Sequence, residues 1–184
     1  MSNRIPSVGT LVEAVAFAAD KHRAQRRKDI AASPYINHPI ALANVLANEG
    51  GVTNLTALCA AVLHDTVEDT DTTEQELAER FGNDITSVVM EVTDDKSLDK
   101  ARRKELQIEH APHMSYAARL VKLADKISNL RDILASPPVD WSTERKQAYF
   151  DWAAQVVEGL RGTHPTLEGL FKAVYARRVE LGCH

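Results

Sequence analysis

The chain has 184 residues, a length typical of one domain, and 44% of them are hydrophobic, which is enough to fill a core. Its net charge of −4 argues against a nucleic-acid coat protein and against a polybasic membrane anchor. The N-terminus has no apolar signal core, no apolar run approaches the roughly 18 residues of a membrane span, and Cys59 and Cys183 form no CxxC motif. We therefore expect a protein of the reducing cytoplasm that binds neither nucleic acid nor membranes.

Helical periodicity dominates the first part of the chain. Residues 8–25 form the first predicted helix, whose apolar stripe consists of Leu11, Val15, Ala18 and Ala19. The segment NHP at 37–39 predicts the cap and first turn of a second helix, which the glycine pair at 50–51 ends. Thr53 or Asn54 then caps residues 55–69, which are apolar on most sides and are therefore predicted to be central.

The second part of the chain is also predicted to be helical. Thr72-Thr73-Glu74 opens a short helix that ends near Gly82, and residues 84–93 and 99–110 continue as helices. The next helix has an apolar stripe made of Leu120, Leu123, Ala124, Ile127 and Leu130, and the proline pair at 137–138 ends it. Two more helices follow near 143–162 and 165–181. Val88, Val89 and Val92 could suggest a strand, but no partner strand with alternation exists, so we predict a single, compact all-α domain over residues 1–184.

A histidine and several carboxylates follow the predicted central segment directly. The stretch LHDTVEDTDTT at 63–73 places His64, Asp65, Glu68, Asp69 and Asp71 within eight residues. Like charges beside a buried segment repel one another unless a cation lies among them. The stretch therefore indicates a bound cation.

Two residues from other parts of the chain extend the candidate set. His38 lies in YINHPI and Asp125 lies in VKLADKISNL. Together with His64 and Asp65 they offer two imidazoles and two carboxylates, a set that suits Mn²⁺, Fe²⁺, Co²⁺ or Zn²⁺ better than Ca²⁺. Each of these residues alone also fits a plainer role, as a helix-end ion pair, a helix-start residue or a solvated charge. The acidic tract lacks the glycine and the spacing of an EF-hand, which excludes a calcium loop of that type.

Two basic clusters accompany the acidic residues. The first consists of Lys21, His22, Arg23, Arg26, Arg27 and Lys28, and the second of Lys96, Lys100, Arg102, Arg103 and Lys104. A guanidinium group can bind two phosphate oxygens at once and can stack on a base. Runs of charged residues, however, also mark solvated helix faces. The clusters are thus compatible with a phosphate-bearing substrate.

Taken together, these motifs resemble the HD-domain hydrolases of the RelA/SpoT type. The resemblance rests on RRKDIAASPYINHPI, AAVLHDTVEDTDTT, VTDDKSLDKARRK, LVKLADKISNLRD and FDWAAQVVEGL, in that order. It covers roughly residues 8–175 and is closest to the stand-alone small alarmone hydrolases, which include the metazoan SpoT homologue. It implies a helical HD fold that binds one Mn²⁺ and removes the 3′-pyrophosphate of ppGpp and pppGpp, giving GDP or GTP and pyrophosphate. The length of the chain leads us to expect a hydrolase without a synthetase domain.

The resemblance also implies roles for individual residues. The metal ligands would be His38, His64, Asp65 and Asp125. Glu68 and Asp69 match the acidic pair near the attacking water, and Arg27 and Lys28 match the pair that flanks the guanine base. Asn129 would face the nucleoside, and the candidates for ribose or phosphate contacts are Tyr35, Lys100 and Tyr149.

Two other functions stay open at this point. The substrate could be another nucleotide with a phosphate on its ribose, such as NADPH. The protein could also be a sensor that binds the alarmone without turnover, although a binder would not require all six residues of the metal and acidic sets. The oligomeric state is not predicted.

Overall fold

The computed structural model describes residues 5–182, and within this range it is helical and has no strand. The ten α-helices are α1 (Val8–Lys21), α2 (Asn37–Asn44), α3 (Leu55–Leu63), α4 (Thr66–Asp69), α5 (Glu74–Phe81), α6 (Asn83–Val92), α7 (Lys100–His110), α8 (Tyr116–Ala135), α9 (Thr143–Glu158) and α10 (Pro165–Ala176). A wider π-helical turn, Val45–Glu49, extends α2, and short 3₁₀ segments follow α7 and α10. The predicted all-α class is therefore confirmed, while Cys183 lies outside the described residues.

Helix α3 is the centre of the core, as its apolar sequence predicts. Every residue from Ala57 to Leu63 is buried. The helix packs against α1, α2, α6 and α8. Its start is fixed by Asn54, whose side-chain oxygen accepts a hydrogen bond from the Ala57 N–H at 3.0 Å. The C-terminal end of α3 is thereby held at the middle of the molecule.

Helix α8 supplies the second main wall of the core. The predicted stripe of Leu120, Leu123, Ala124, Ile127 and Leu130 is buried throughout. The helix is about 30 Å long by its 20 residues, and it contacts α2, α3, α6, α9 and α10. Polar residues that face α2 and α3 from the middle of α8 therefore lie deep inside the molecule.

The predicted apolar stripe of α1 is partly wrong. Ala14, Phe17 and Ala18 are buried, whereas Leu11 and Val15 are only half-buried. The helix is apolar around most of its circumference, so its periodicity alone does not fix which face turns inward. Contact of the Phe17 and Phe81 rings, with centroids 5.4 Å apart, accompanies the observed orientation.

The predicted single helix over residues 55–69 is broken at His64 and Asp65. Asp65 has φ −97° and ψ −2°, and α4 begins after it. The Thr66 hydroxyl donates to the Leu63 carbonyl at 2.7 Å, and His64 Nδ1 lies 2.9 Å from the Ala61 carbonyl. Side chains that bond to nearby carbonyls compete with the helical ladder, which accounts for the break. The other predicted helices are present with ends shifted by a few residues, the largest shifts being the ends of α1, α9 and α10.

None of the helices in residues 5–182 combines the length and the apolar character that crossing a membrane requires.

Candidate metal centre and active-site cavity

His64 and Asp65 lie together at the break between α3 and α4. The carbonyl of Ala61 faces His64 Nδ1, and His64 Nε2 lies 3.0 Å from Asp65 Oδ2. A carbonyl acceptor favours a proton on Nδ1, because that nitrogen can then donate to it. The Nε2 lone pair of His64 is thereby left for a cation on the Asp65 side.

His38 reaches the same place from the first turn of α2. Its Nε2 lies 3.4 Å from Asp125 Oδ1, and its Nδ1 lies 3.7 Å from Asp132 Oδ2. The second distance is too long for a hydrogen bond, and the buried Nδ1 has no hydrogen-bond partner. The ring thus lies between one carboxylate on the side of the site and another behind it, an arrangement common for histidines that ligate metals.

Asp125 comes from the middle of α8, and both of its oxygens are held. Oδ1 accepts a hydrogen bond from Asn129 Nδ2 at 2.6 Å, and Oδ2 accepts one from Lys126 Nζ at 3.0 Å. Burial on its own would raise the pKa of Asp125, but Lys126 and His38 hold it well below its usual range. The carboxylate is therefore an anion beside His38.

Three of the four predicted ligands form one group that could hold a metal ion. The candidate ligand atoms of His38, His64 and Asp65 all lie within 4.8 Å of one another. Asp125 adjoins the group through His38, although it is not part of that triad. Two imidazole nitrogens and two carboxylates suit a first-row divalent cation, so the residues present fit one.

The electrostatics of the group also favour positive charge. Burial would raise the pKa of Asp65, but His64, His38 and Tyr35 lower it well below its usual range. Burial lowers the pKa of His38, whereas Asp125 and Asp132 raise it, with a net result of about 9. The buried carboxylates thus draw positive charge into the site, which either a proton or a metal cation can supply.

Glu68 and Asp69 follow on α4 but have different partners. Burial, Asp65 and Asp94 raise the pKa of Glu68 to about 7. Arg103 lies 3.7 Å from Glu68, whereas Asp69 pairs with Lys96 and accepts a hydrogen bond from Gln25 at 3.1 Å. Glu68 can therefore exchange a proton near neutral pH, while Asp69 is held in place by its two partners.

A cavity of about 640 Å³ opens beside the group. Its lining includes five of the six predicted substrate residues, which are Arg27, Lys28, Tyr35, Asn129 and Tyr149, and it also includes His38 and Asp69. The sixth, Lys100, is exposed, and its Nζ lies 6.0 Å from the ring centroid of Trp141, a residue of the cavity wall. The structure thus gathers five of the six predicted substrate residues, together with His38 and Asp69, from distant segments around one cavity that is large enough for a nucleotide.

Several of these side chains already have protein partners. The Tyr35 hydroxyl donates to Asp65 Oδ2 at 2.5 Å, and Arg27 forms an ion pair with Asp132. Tyr35 therefore orients a candidate ligand as well as lining the cavity. Arg27 also supports Asp132, the carboxylate behind His38.

Positive charge from three parts of the chain meets near Trp141, a residue of the cavity wall. Burial lowers the pKa of Lys100, and the nearby charges of Arg145, Lys28 and Arg103 lower it further. The guanidinium of Arg145 lies 4.5 Å from the ring centroid of Trp141. Such crowding of cations favours the binding of an anion.

Sequence reasoning missed Asp132, Gln25, Trp141 and Arg145. Asp132 lies seven residues after Asp125, a spacing that keeps both on one face of a helix and could have revealed it. Gln25 lies among the charged residues of the first basic cluster, and neither charge nor spacing distinguishes it there. Trp141 and Arg145 follow the proline pair that ends α8, and no spacing rule connects them with the metal candidates.

Known proteins are similar to this chain over most of its length. The profile of the HD domain family matches residues 14–157. The MESH1 guanosine-3′,5′-bis(diphosphate) 3′-pyrophosphohydrolase of Xenopus tropicalis is 57% identical over 159 residues, covering 86% of this chain and 89% of that protein. The Homo sapiens protein of the same name is 56% identical over 168 residues, covering 91% of this chain and 94% of that protein.

A solved structure shows the same fold. It is described as a metazoan ortholog of SpoT that hydrolyzes ppGpp and plays a role in starvation responses. It superposes with a TM-score of 0.90 at 46% identity, covering 95% of this chain and 98% of the other.

Proposed function

This chain belongs to the HD-domain family, in the group of the MESH1-type pyrophosphohydrolases, and we propose that it removes the 3′-pyrophosphate of ppGpp and pppGpp in a Mn²⁺-dependent reaction. The products are GDP or GTP and pyrophosphate. The observation that carries the proposal is the group of His38, His64 and Asp65 beside a cavity with basic walls. A carboxylate-rich centre can hold a divalent cation, and basic side chains next to it can stabilise the charge that develops when a phosphate ester is hydrolysed.

The cation would be held by His38, His64, Asp65 and Asp125. These side chains come from α2, the break after α3, and α8. A divalent ion there supplies Lewis acidity, which withdraws charge from phosphoryl oxygens and helps water to attack near neutral pH. Manganese suits this mixed set of nitrogen and oxygen ligands.

Glu68 accepts the proton of the attacking water. The oxygen of that water bonds to the phosphorus next to the ribose, the bond between that phosphorus and the ribose 3′-oxygen breaks, and pyrophosphate leaves. The proton held by Glu68 then passes to the 3′-oxygen of the nucleotide. A pKa near neutrality suits both steps, because the same group must accept and then give a proton. Asp69, fixed by Lys96 and Gln25, orients the water.

The nucleotide lies in the cavity with its ribose toward the candidate metal centre. Arg27 and Lys28 flank the guanine base, which a planar guanidinium can stack upon. Asn129 and Tyr149 contact the nucleoside, and Lys100 neutralises phosphate charge near Trp141. All except Lys100 line the cavity.

Product analysis with several nucleotides tests this proposal. Protein loaded with Mn²⁺ is incubated separately with ppGpp, pppGpp and NADPH, and pyrophosphate and inorganic phosphate are measured. We expect pyrophosphate with GDP from ppGpp and with GTP from pppGpp. If only NADPH were hydrolysed, with release of phosphate, the protein would be a phosphatase for that nucleotide. If ppGpp bound tightly without forming any product, the protein would be an alarmone sensor. Either of these results would overturn the proposed activity.

A further inference from the structure

Helix α7 has no buried residue, yet one of its side chains connects two parts of the candidate active site. This side chain is Gln107. Its Oε1 accepts a hydrogen bond from Lys126 Nζ at 2.9 Å. Its Nε2 donates to Asp94 Oδ1 at 3.0 Å and Oδ2 at 2.8 Å. The amide thus lies between a cation and a carboxylate.

The first connection leads from Gln107 to the metal centre. Lys126 Nζ donates to Asp125 Oδ2, and its side chain is only 3% exposed. The ammonium also lies 4.2 Å from the ring centroid of Trp152, so this ring covers another side of the ammonium. A buried ammonium needs acceptors in fixed places, and Gln107 supplies one of them. Gln107 therefore holds Lys126 where it can orient the Asp125 carboxylate.

The second connection leads from Gln107 to the proton-transfer residue. Asp94 lies in the loop after α6, and its backbone N–H donates to Glu68 Oε2 at 3.2 Å. Two hydrogen bonds from one amide fix the Asp94 carboxylate. Gln107 therefore also fixes the loop whose N–H orients Glu68.

We propose that Gln107 is a positioning residue that holds Asp125 and Glu68 in their relative places through Lys126 and Asp94. The amide of Gln107 offers an acceptor to the lysine and a donor to the aspartate at the same time, which neither Leu nor an ionised Glu can do. Gln107 lies outside the cavity lining, so it acts through its partners and not on the substrate. The kinetic part of this inference rests on the proposed function, whereas the part that concerns metal affinity rests on the contacts of Asp125.

Two substitutions separate the two connections. Gln107→Leu removes both the acceptor for Lys126 and the donor to Asp94. Gln107→Glu keeps an acceptor for Lys126 but turns a carboxylate toward Asp94, which breaks that connection alone. Gln155→Leu is the matched control, because it makes the same chemical change at an exposed position of α9.

Mn²⁺ affinity is measured by calorimetric titration of the metal-free proteins, and kcat and KM are measured with ppGpp. We expect Gln107→Leu to bind Mn²⁺ about tenfold more weakly and to lose about tenfold in kcat, as outer partners of metal ligands commonly do. Gln107→Glu should keep its Mn²⁺ affinity within about threefold but lose kcat to a similar extent. KM should stay within about twofold of wild type in both variants, since no contact to the substrate is removed.

The proposal is wrong if Gln107→Leu binds Mn²⁺ as tightly as Gln155→Leu does, or if both variants keep the wild-type kcat. A change in melting temperature without these effects would show that Gln107 only anchors α7, which also overturns it. If Gln107→Leu does not fold, Gln107→Glu decides the question by its kcat. A wild-type protein that binds Mn²⁺ but leaves ppGpp intact would refute the proposed function instead, and the Mn²⁺ affinity of Gln107→Leu would still decide this inference.

Discussion

Glu68 and Asp69 are neighbours in the sequence, but their surroundings give them different chemistry. Partial burial and the nearby charges of Asp65 and Asp94 raise the pKa of Glu68 to about 7. Asp69 is paired with Lys96 and bonded by Gln25. A carboxylate that titrates near neutral pH is suited to move a proton, and a carboxylate held by two partners is suited to orient a water.

Replacing Glu68 by glutamine should therefore separate turnover from metal binding. Glu68→Gln keeps the shape of the side chain but cannot accept a proton, so kcat with ppGpp should fall by a factor of about 10²–10⁴. Mn²⁺ affinity should stay within about threefold, because Glu68 is not among the four predicted ligands. Steady-state kinetics and calorimetry check the two values, with the exposed Glu74→Gln as the control. An unchanged kcat would show that Glu68 does not take part in the proton transfer.

The same substitution has a consequence for the stability of the metal-free protein. Because the folded state raises the pKa of Glu68 from 4.5 to about 7, it binds this proton more tightly than the unfolded chain does. The contribution of Glu68 to stability is thus complete below about pH 4.5 and is lost as the pH rises to about 7. We expect the melting temperature of Glu68→Gln to rise relative to that of wild type over this interval. A difference in melting temperature that stays constant from pH 4.5 to 7 would contradict the partial burial of Glu68 and its repulsion by neighbouring carboxylates.

At the scale of helices, the break between α3 and α4 determines where the chemistry lies. Two side chains that follow each other on a continuous helix point about 100° apart. The break allows His64 Nε2 and Asp65 Oδ2 to lie 3.0 Å apart and to face His38 on α2. The Thr66 hydroxyl, which is fully buried, bonds to the Leu63 carbonyl at this point.

Thr66→Val tests whether this break matters for the metal centre. The change removes the hydroxyl and keeps the shape, and we expect the free energy of unfolding to fall by about 1 kcal/mol and Mn²⁺ affinity to fall as well. Thr86→Val is the control, since the Thr86 hydroxyl bonds to the Gly82 carbonyl at 2.9 Å in α6, away from the site. Denaturant unfolding and calorimetry measure both quantities. Equal Mn²⁺ affinities in the two variants would show that the metal centre does not depend on the Thr66 hydroxyl.

The helices themselves were largely predictable from the sequence. The apolar stripe of α8 and the caps at Asn54 and Thr73 follow from local rules of periodicity and hydrogen bonding. The break at His64 and Asp65 was not predictable, because it depends on side chains competing for main-chain carbonyls in an otherwise good helix. The inward face of α1 was not predictable either, since several faces of that helix are apolar.

The members of the candidate site were predictable from motifs, whereas their contacts were not. His38, His64 and Asp65 do converge, as the motifs indicate. The partners that hold them, such as Asp132 behind His38 and Gln107 beyond Lys126, depend on how α2, α7 and α8 pack. Packing distances between segments far apart in sequence are set by the whole core and are not contained in any short pattern.

At the scale of the whole molecule, the candidate ligands connect three separate parts of the core. His38 comes from α2, His64 and Asp65 come from the break after α3, and Asp125 comes from α8. These helices also pack directly against one another. A cation bound at their meeting point would therefore stabilise the entire fold, because the unfolded chain does not preserve the site.

This link between metal binding and folding gives a measurable stabilisation. Mn²⁺ at about 100 times its dissociation constant should add about 2.7 kcal/mol to the free energy of unfolding. Asp65→Asn should lose most of this gain, because it weakens a ligand while keeping the size of the side chain. Asp140→Asn, at an exposed position, should keep the gain. Chemical denaturation with and without Mn²⁺ provides the comparison, and an equal gain in Asp65→Asn and wild type would place the ion elsewhere.

The most direct test of a single catalytic cation is a titration of metal-free protein with Mn²⁺ in the presence of ppGpp. Bound manganese and released pyrophosphate are measured at each step. We predict that the rate rises in proportion to occupancy and reaches its plateau at one equivalent of Mn²⁺ per chain. Full turnover in the metal-free protein, or no turnover at saturating Mn²⁺, would contradict the account.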